Sequence, residues 1–160
     1  ALQHKSDIGA LELGVQGAES VGLAFDRLRA IDGHASTPVL VEQMAEAGVE
    51  LLVSARRDAI VPVLVIGLGG VWVEIASDAV VIPLPANSTR VLQALQQLRG
   101  AALLNGGRGR PAVDLTAVAD LAVRVGRALF EHDLELIELN PVFARPGGVT
   151  AVDAVARRIG

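Results

Sequence analysis

The sequence predicts a mixed α/β domain of the α+β type, a mainly antiparallel sheet flanked by helices. Three observations predict it. Five strand-like segments follow one another between residues 38 and 85, too closely spaced for helical crossovers, so neighbouring strands must run antiparallel. Segments near 18–31, 89–99 and 115–131 repeat apolar residues at helical spacing. A last strand, 134–142, runs towards Arg145-Pro146-Gly147-Gly148, a turn signal that folds the end of the chain into a hairpin.

Composition sets the outer limits. The 160 residues suffice for one domain with a real core. Hydrophobic residues make up 51% and aromatic ones only 2%, so the core is built from Ala, Val and Leu. So few aromatics argue against a base-stacking nucleic-acid module. The formal net charge of −4 argues against general polyanion binding. With no cysteine there is neither a disulfide frame nor thiolate chemistry, which fits a cytoplasmic location. The longest apolar run, Ala59 to Val73, is broken by Pro62, Gly67, Gly69 and Gly70 and is too short to span a bilayer. The chain opens at Ala1, without methionine or signal peptide, inside what already reads as structure; it is expected to be a fragment of a longer polypeptide.

Taken in order, the elements carry different amounts of chemistry. His4-Lys5-Ser6-Asp7 gathers a proton carrier, a cation, a hydroxyl and a carboxylate, and a neutral imidazole can attack phosphorus. Residues 10–14 read as a short strand, with Leu11 and Leu13 alternating with Glu12. The helix at 18–31 presents Val21, Ala24, Phe25, Leu28 and Ile31 on one face and ends at Asp32-Gly33. A strand starts at Pro38-Val39-Leu40-Val41, and a second spans Val49 to Val53. Glu42 and Glu50 stand at strand edges among apolar neighbours, where a carboxylate can hold ribose hydroxyls. Arg56-Arg57-Asp58 reads as a charged surface turn.

Residues 60–66 read as a buried strand, followed by Gly67-Leu68-Gly69-Gly70 and a strand over 71–75. Glycines between strands let backbone N–H groups approach a phosphate. Neither the Walker nor the dinucleotide pattern is met, because no Gly-Lys-Ser/Thr and no helix follows. A strand over 78–85 closes on proline, and Ser88 or Thr89 can cap the next helix. Asp114 can cap the helix at 115–131. Between these helices Arg108-Gly109-Arg110-Pro111 matches the core of an AT-hook. Its place between two amphipathic helices of an acidic chain favours a loop whose Arg108 and Arg110 meet an anionic ligand or partner.

The hairpin holds the most specific chemistry. In a strand Glu138 and Asn140 share a face, and Pro141 should weaken or end pairing on one side. A symmetric hairpin on the 145–148 turn places residue 144 opposite 149, and Asn140 opposite Asp153. Two carboxylates and an amide then offer oxygen to a hard cation such as Mg2+.

In this order the pieces resemble the ATP-grasp domain of nucleoside-diphosphate-forming acyl-CoA synthetases, such as ADP-forming acetate–CoA ligase. They are more distantly similar to the succinyl-CoA synthetase beta chain. The segments carrying the resemblance are His4 to Gly9, Leu40 to Met44 with Gly48 to Leu51, Gly67 to Glu74, and Glu138 to Pro141 with Asp153. The resemblance implies an ATP-grasp fold fragment, a single domain over 1–160 lacking its N-terminal part. It implies Glu42 and the residues after it, including Met44, as the adenine-side hinge, and Glu50 as the ribose contact. Gly69 and Gly70 would lie by the phosphates. Asn140 and Asp153, with Glu138 nearby, would be Mg2+ ligands, and His4 would carry the phosphoryl group to ADP. It implies ATP or ADP as substrate and, as partner, a CoA-binding ligase half in the same chain or in a partner subunit. No membrane is implied.

The departures are Ala10 and Ser54, where the family usually has glycine, and a shortened segment after Asp58. The front of the domain, with a lysine that contacts ATP phosphates, is absent, so this chain alone is expected not to turn over. An alternative role is a catalytically silent nucleotide-binding regulatory domain fused to an acyltransferase.

Overall fold

The run Val49–Arg56 alternates between two environments, and that alternation places it at the centre of a sheet. Leu51, Val53 and Ala55 are fully buried on one face of this strand, β1. In the computed structural model β1 is paired on both sides, with β2 (Val63–Leu68) and with β4 (Leu134–Arg145), antiparallel in each case. β3 (Ala79–Pro83) lies beyond β2, and β5 (Gly148–Ala151) and β6 (Ala154–Arg158) share the far edge of β4, again antiparallel. The structure describes residues 9–31, 38–57, 60–70, 78–109 and 111–160. The chain divides into two compact units, Ala1–Met44 and Ala45–Gly160.

In the larger unit α2 (Ser88–Leu95) and α4 (Leu115–Glu131) cover one face of the sheet; α3 (Ala101–Leu104) is a single turn between them. The core is continuous from Leu51, Leu64 and Ile66 of the sheet to Val91 and Leu95 of α2 and to Val118, Ala122 and Leu129 of α4. Burying each large aliphatic side chain contributes about 1.5–3 kcal/mol, so this layer is the main source of the unit's stability. Asp114 caps α4 as expected, its carboxylate accepting from Ala117 N–H at 2.9 Å. The cap of α2 is Asn87 rather than Ser88 or Thr89: Asn87 has extended backbone and accepts from Arg90 N–H. Ser88 is already helical and donates instead to Asp120 at 2.9 Å.

α2 also ends earlier than the apolar spacing predicts. The buried Asp78 carboxylate accepts from Arg99 N–H and Gly100 N–H, both at 2.8 Å, and so holds the turn that follows the helix. The strand expected at 60–66 runs instead from Val63 to Leu68, with Ile60 fully exposed ahead of Pro62. The strand expected at 71–75 lies outside the described residues.

In the smaller unit α1 (Ala18–Arg29) forms where expected, but its predicted core face does not: Ala24 alone is buried, while Val21 and Phe25 are 44% and 46% exposed. Among the described residues of this unit α1 has no second helix or strand to pack against. Residues 10–14 are not a strand, because Gly9, Gly14 and Gly17 take left-handed φ values of 68°, 67° and 80° that turn the chain at each end of the segment. A bidentate pair ties the segment to α1, Arg27 Nε to Glu12 Oε1 at 2.7 Å and Nη2 to Oε2 at 3.1 Å. These hydrogen bonds hold the Glu12 carboxyl below its ordinary range. The strand expected from Pro38 is also absent: residues 38–48 are irregular and pair with no strand among the described residues, Pro38 lacking an N–H to give.

Leu129 is fully buried where α4 meets the sheet. Leu129→Ala is expected to destabilise the protein by about 2–5 kcal/mol, read as a lower urea midpoint.

Candidate functional site

Because Leu51, Val53 and Ala55 face the helices, Glu50, Leu52, Ser54 and Arg56 face the other way. Directly opposed residues of paired strands share a face. Ser54 is opposed by Val65 of β2 and by Glu138 of β4, so Glu138 lies on the same open face. Asn140 follows two residues on, where the register of β4 with β1 shifts. Glu50 and Glu138 thus lie on the side of the sheet that the helices leave uncovered, with Asn140 next along β4.

At one end of this face the structure brings together Glu50, Gly69 and Gly70. Gly69 N–H donates to Glu50 C=O at 2.6 Å. A Cβ on Gly69 would lie 2.8 Å from Glu50 Cβ and 2.9 Å from its carbonyl carbon, so only glycine permits this approach. Gly70 has φ of 72°, and a Cβ there would lie 3.1 Å from Glu50 Oε2. The glycine pair therefore does two things: it turns the backbone out of β2, and it leaves a half-buried carboxylate beside bare peptide. Such a surface accepts hydrogen bonds from hydroxyls at Glu50 and leaves space for a bulky polar ligand at the glycines.

The second group forms on the hairpin. β4 pairs with β5 from Val142↔Ala151 to Arg145↔Gly148 and with β6 from Leu139↔Ala154 inwards, all in the register that the turn at 145–148 sets. Between the two ladders Asn140 N–H donates to Asp153 C=O and Val152 N–H to Pro141 C=O, each at 3.2 Å. Asn140 and Asp153 therefore stand opposite one another. Pro141 interrupts the pairing without ending the strand: β5 gives way to β6 there, and the register with β1 shifts between Leu51 and Val53. One Asp153 carboxylate oxygen accepts from Ala154 N–H at 2.9 Å, which orients the group. Among the described residues no three His, Cys, Asp or Glu side chains gather to hold a metal. The arrangement is two carboxylates and an amide, an all-oxygen set suited to a hard cation rather than to zinc.

Other expected residues stand elsewhere. His4 and Arg110 lie outside the described residues. Glu42 and Met44 belong to the smaller unit, in the irregular segment that replaces the expected strand, both exposed. Arg108 falls within a 3-10 turn, Gly107–Gly109, on the connection from α3 to α4.

Several residues were misjudged or passed over. Arg57 does not sit on a free surface turn: it donates to Leu129 C=O at 3.1 Å and stacks over the Phe130 ring at 5.0 Å. Arg145, counted only as a turn residue, bonds Glu46 and Thr150 and so fastens the loop ahead of β1. Ser54 is a buried hydroxyl on the open face, legible in sequence only as the one polar residue within Leu51–Ala55.

Comparison with known proteins decides the family. The profile described as "ATP-grasp domain" matches residues 1–157. The chain belongs to the ATP-grasp family. It is 31% identical to the beta subunit of ADP-forming acetate–CoA ligase I of Pyrococcus furiosus, over 94% of this chain and 68% of that subunit. It is 37% identical to a trans-feruloyl-CoA synthase of an unknown prokaryotic organism, over 97% of this chain but only 23% of that protein. The chain thus spans less than a quarter of the length of that relative. Among solved structures, the acetyl-coenzyme A synthetase 1 of Ca. Korarchaeum cryptofilum, complexed with coenzyme A and Mg-AMPPCP, superposes with a TM-score of 0.86 at 31% identity, covering 98% of this chain and 71% of that one. In that complex a phosphohistidine segment points towards the nucleotide binding site.

For this ATP-grasp domain the close approach at Gly69 is the most restrictive contact of the site. Gly69→Ala is expected to push Glu50 aside and destabilise the protein by about 1–3 kcal/mol, read as a lower urea midpoint, while the helical circular dichroism signal is kept.

Proposed function

We propose that this ATP-grasp domain is the nucleotide-binding part of an ADP-forming acyl-CoA synthetase, moving a phosphoryl group between a phosphohistidine at His4 and ADP or ATP with Mg2+. The observation that carries the reading is the open sheet face on which Glu50 meets Gly69-Gly70, beside the hairpin on which Asn140 opposes Asp153. The named activities of the relatives support it, as does the Mg-nucleotide of the Korarchaeum complex.

In this reading Glu50 accepts hydrogen bonds from the ribose, and Glu42 and Met44 line the adenine side. Gly69 and Gly70 admit the phosphates. Asn140 and Asp153, with Glu138, would hold Mg2+, whose charge would neutralise the phosphate oxygens. The oxygen donor set fits that ion. Phosphoryl transfer breaks the phosphorus–nitrogen bond of phosphohistidine, the imidazole nitrogen keeping the electron pair, and forms a bond from phosphorus to a terminal oxygen of ADP. The protein's part is positioning and charge neutralisation. An imidazole with an ordinary pKa of about 6.5 is mostly neutral at neutral pH and so nucleophilic in the reverse direction. Arg108 and Arg110 are anion contacts of this reading, to phosphate or partner. The acyl phosphate and CoA chemistry would reside in a ligase half, in the same polypeptide or a partner subunit, because the relatives extend well beyond the matched segment.

Two measurements on the intact protein test the reading. Asp153→Ala is expected to abolish Mg-nucleotide binding in calorimetry; unchanged affinity would remove Asp153 from the site. Labelled ATP with Mg2+ is expected to leave acid-labile, base-stable phosphate on the protein, and His4→Ala to lose both the label and acyl-CoA synthesis. Normal synthesis by that variant would make the segment an ordinary loop.

A further inference from the structure

Among the described residues the Ser54 hydroxyl is a donor without an acceptor. Ser54 is 3% exposed, and among the described residues its Oγ has no hydrogen-bond partner. It lies at the middle of the central strand, between the buried Val53 and Ala55, and points to the open face. A buried hydroxyl left unpaired lowers stability. Its two cross-strand neighbours are Val65, which offers no acceptor, and Glu138, whose ionised carboxylate can only accept. Cβ atoms of directly opposed residues lie about 4.5–5.5 Å apart. At that spacing side-chain rotation can bring Oγ and a carboxylate oxygen to hydrogen-bond distance.

We propose that Ser54 is a positioning residue of the cation site: its Oγ–H donates to the Glu138 carboxylate and fixes the direction in which the second carboxylate oxygen is offered to a divalent cation. The inference rests on the cation site placed at Asn140, Asp153 and Glu138. The logic is that of a supported ligand. Glu138 is half-buried and has three rotatable side-chain bonds; a bond to one oxygen removes that freedom and leaves the other oxygen for the metal. The hydroxyl is satisfied only when Glu138 is ordered. Cation binding and the Ser54–Glu138 bond thus favour one another, and the cation-free protein holds the unpaired group.

The test is a double-mutant cycle in the intact protein, with Mg2+ titrated calorimetrically at saturating ADP. Ser54→Ala is expected to weaken Mg2+ binding at least tenfold, as loss of a ligand's supporting hydrogen bond does. Without metal, the same variant is expected to raise the unfolding temperature by ~2–4 °C, because an unpaired buried hydroxyl has gone. A residue needed only for packing would lower it. In the Glu138→Ala background, Ser54→Ala is expected to change Mg2+ affinity no further. Unchanged Mg2+ affinity in Ser54→Ala, or an equal further loss in the Glu138→Ala background, overturns the role of Ser54. The reading beneath it fails separately, if Asp153→Ala binds Mg-nucleotide normally.

Discussion

Two-sided pairing of β1 is the constraint on which the rest depends. Between β2 and β4, the strand has its backbone committed on both edges, from Leu51 to Arg56 on one side and from Val49 to Arg56 on the other. A strand so fixed cannot rotate, so the side chains of its odd and even positions are assigned to faces once and for all. Leu51, Val53 and Ala55 are driven to the helices because burying them is the larger gain. Glu50 and Ser54 are thereby placed on the opposite face whatever their own preference. A polar site on this sheet is a consequence of register, and shifting β1 by one residue would put both in the core.

The site also lies where the ladder is imperfect. At Asn140-Pro141 the partner of β4 changes from β6 to β5, and the register against β1 slips by one residue. An irregular stretch frees side chains and peptide groups from the repeating pattern, and bulges commonly re-aim a side chain beside active sites. Asp153 falls between β5 and β6 for the same reason, so the hairpin holds two residues out of regular pairing and opposite one another. Close by on β1, on its β2 side, Gly69 packs on Glu50 with no side chain in the way. Both halves of the site are thus made at points where strands stop being regular.

This explains which parts were legible in sequence. The hairpin register followed from the turn at 145–148, since a turn fixes every pair beyond it, and the observed pairs agree out to Leu136↔Arg157. The helix at 115–131 followed from an apolar face long enough to be unambiguous and a capping Asp114. The antiparallel order followed from the short spacing of strands. What failed had tertiary causes. Leu40 and Val41 look like strand residues, yet a strand exists only with a partner, and none is present among the described residues. Arg57 was read from its charge as surface, whereas its long side chain lies along Phe130 and its head finds a helix-end carbonyl. Asp78 carries no sequence signal and Ser54 only that of a lone polar residue in an apolar run, because the partners of Asp78 and the strands opposing Ser54 lie far off in the chain.

Charge couples the two halves of the site. Glu50, Glu138 and Asp153 set carboxylates around the open face of a chain already at −4, and a nucleotide adds several negative charges of its own. Bringing such a ligand onto such a face is unfavourable unless a cation arrives with it. The oxygens of Asn140 and Asp153 and the phosphates would then share that ion. By linkage, the factor by which the bound cation would strengthen the nucleotide is the factor by which the nucleotide would strengthen the cation. Glycine at positions 69 and 70 contributes no charge, so in this reading the offset to the phosphate charge would come from the cation held on the hairpin. In the proposed function nucleotide recognition would therefore be divided: β1 and the glycines would determine which shape enters, and the irregular middle of β4 would determine whether its charge can be tolerated.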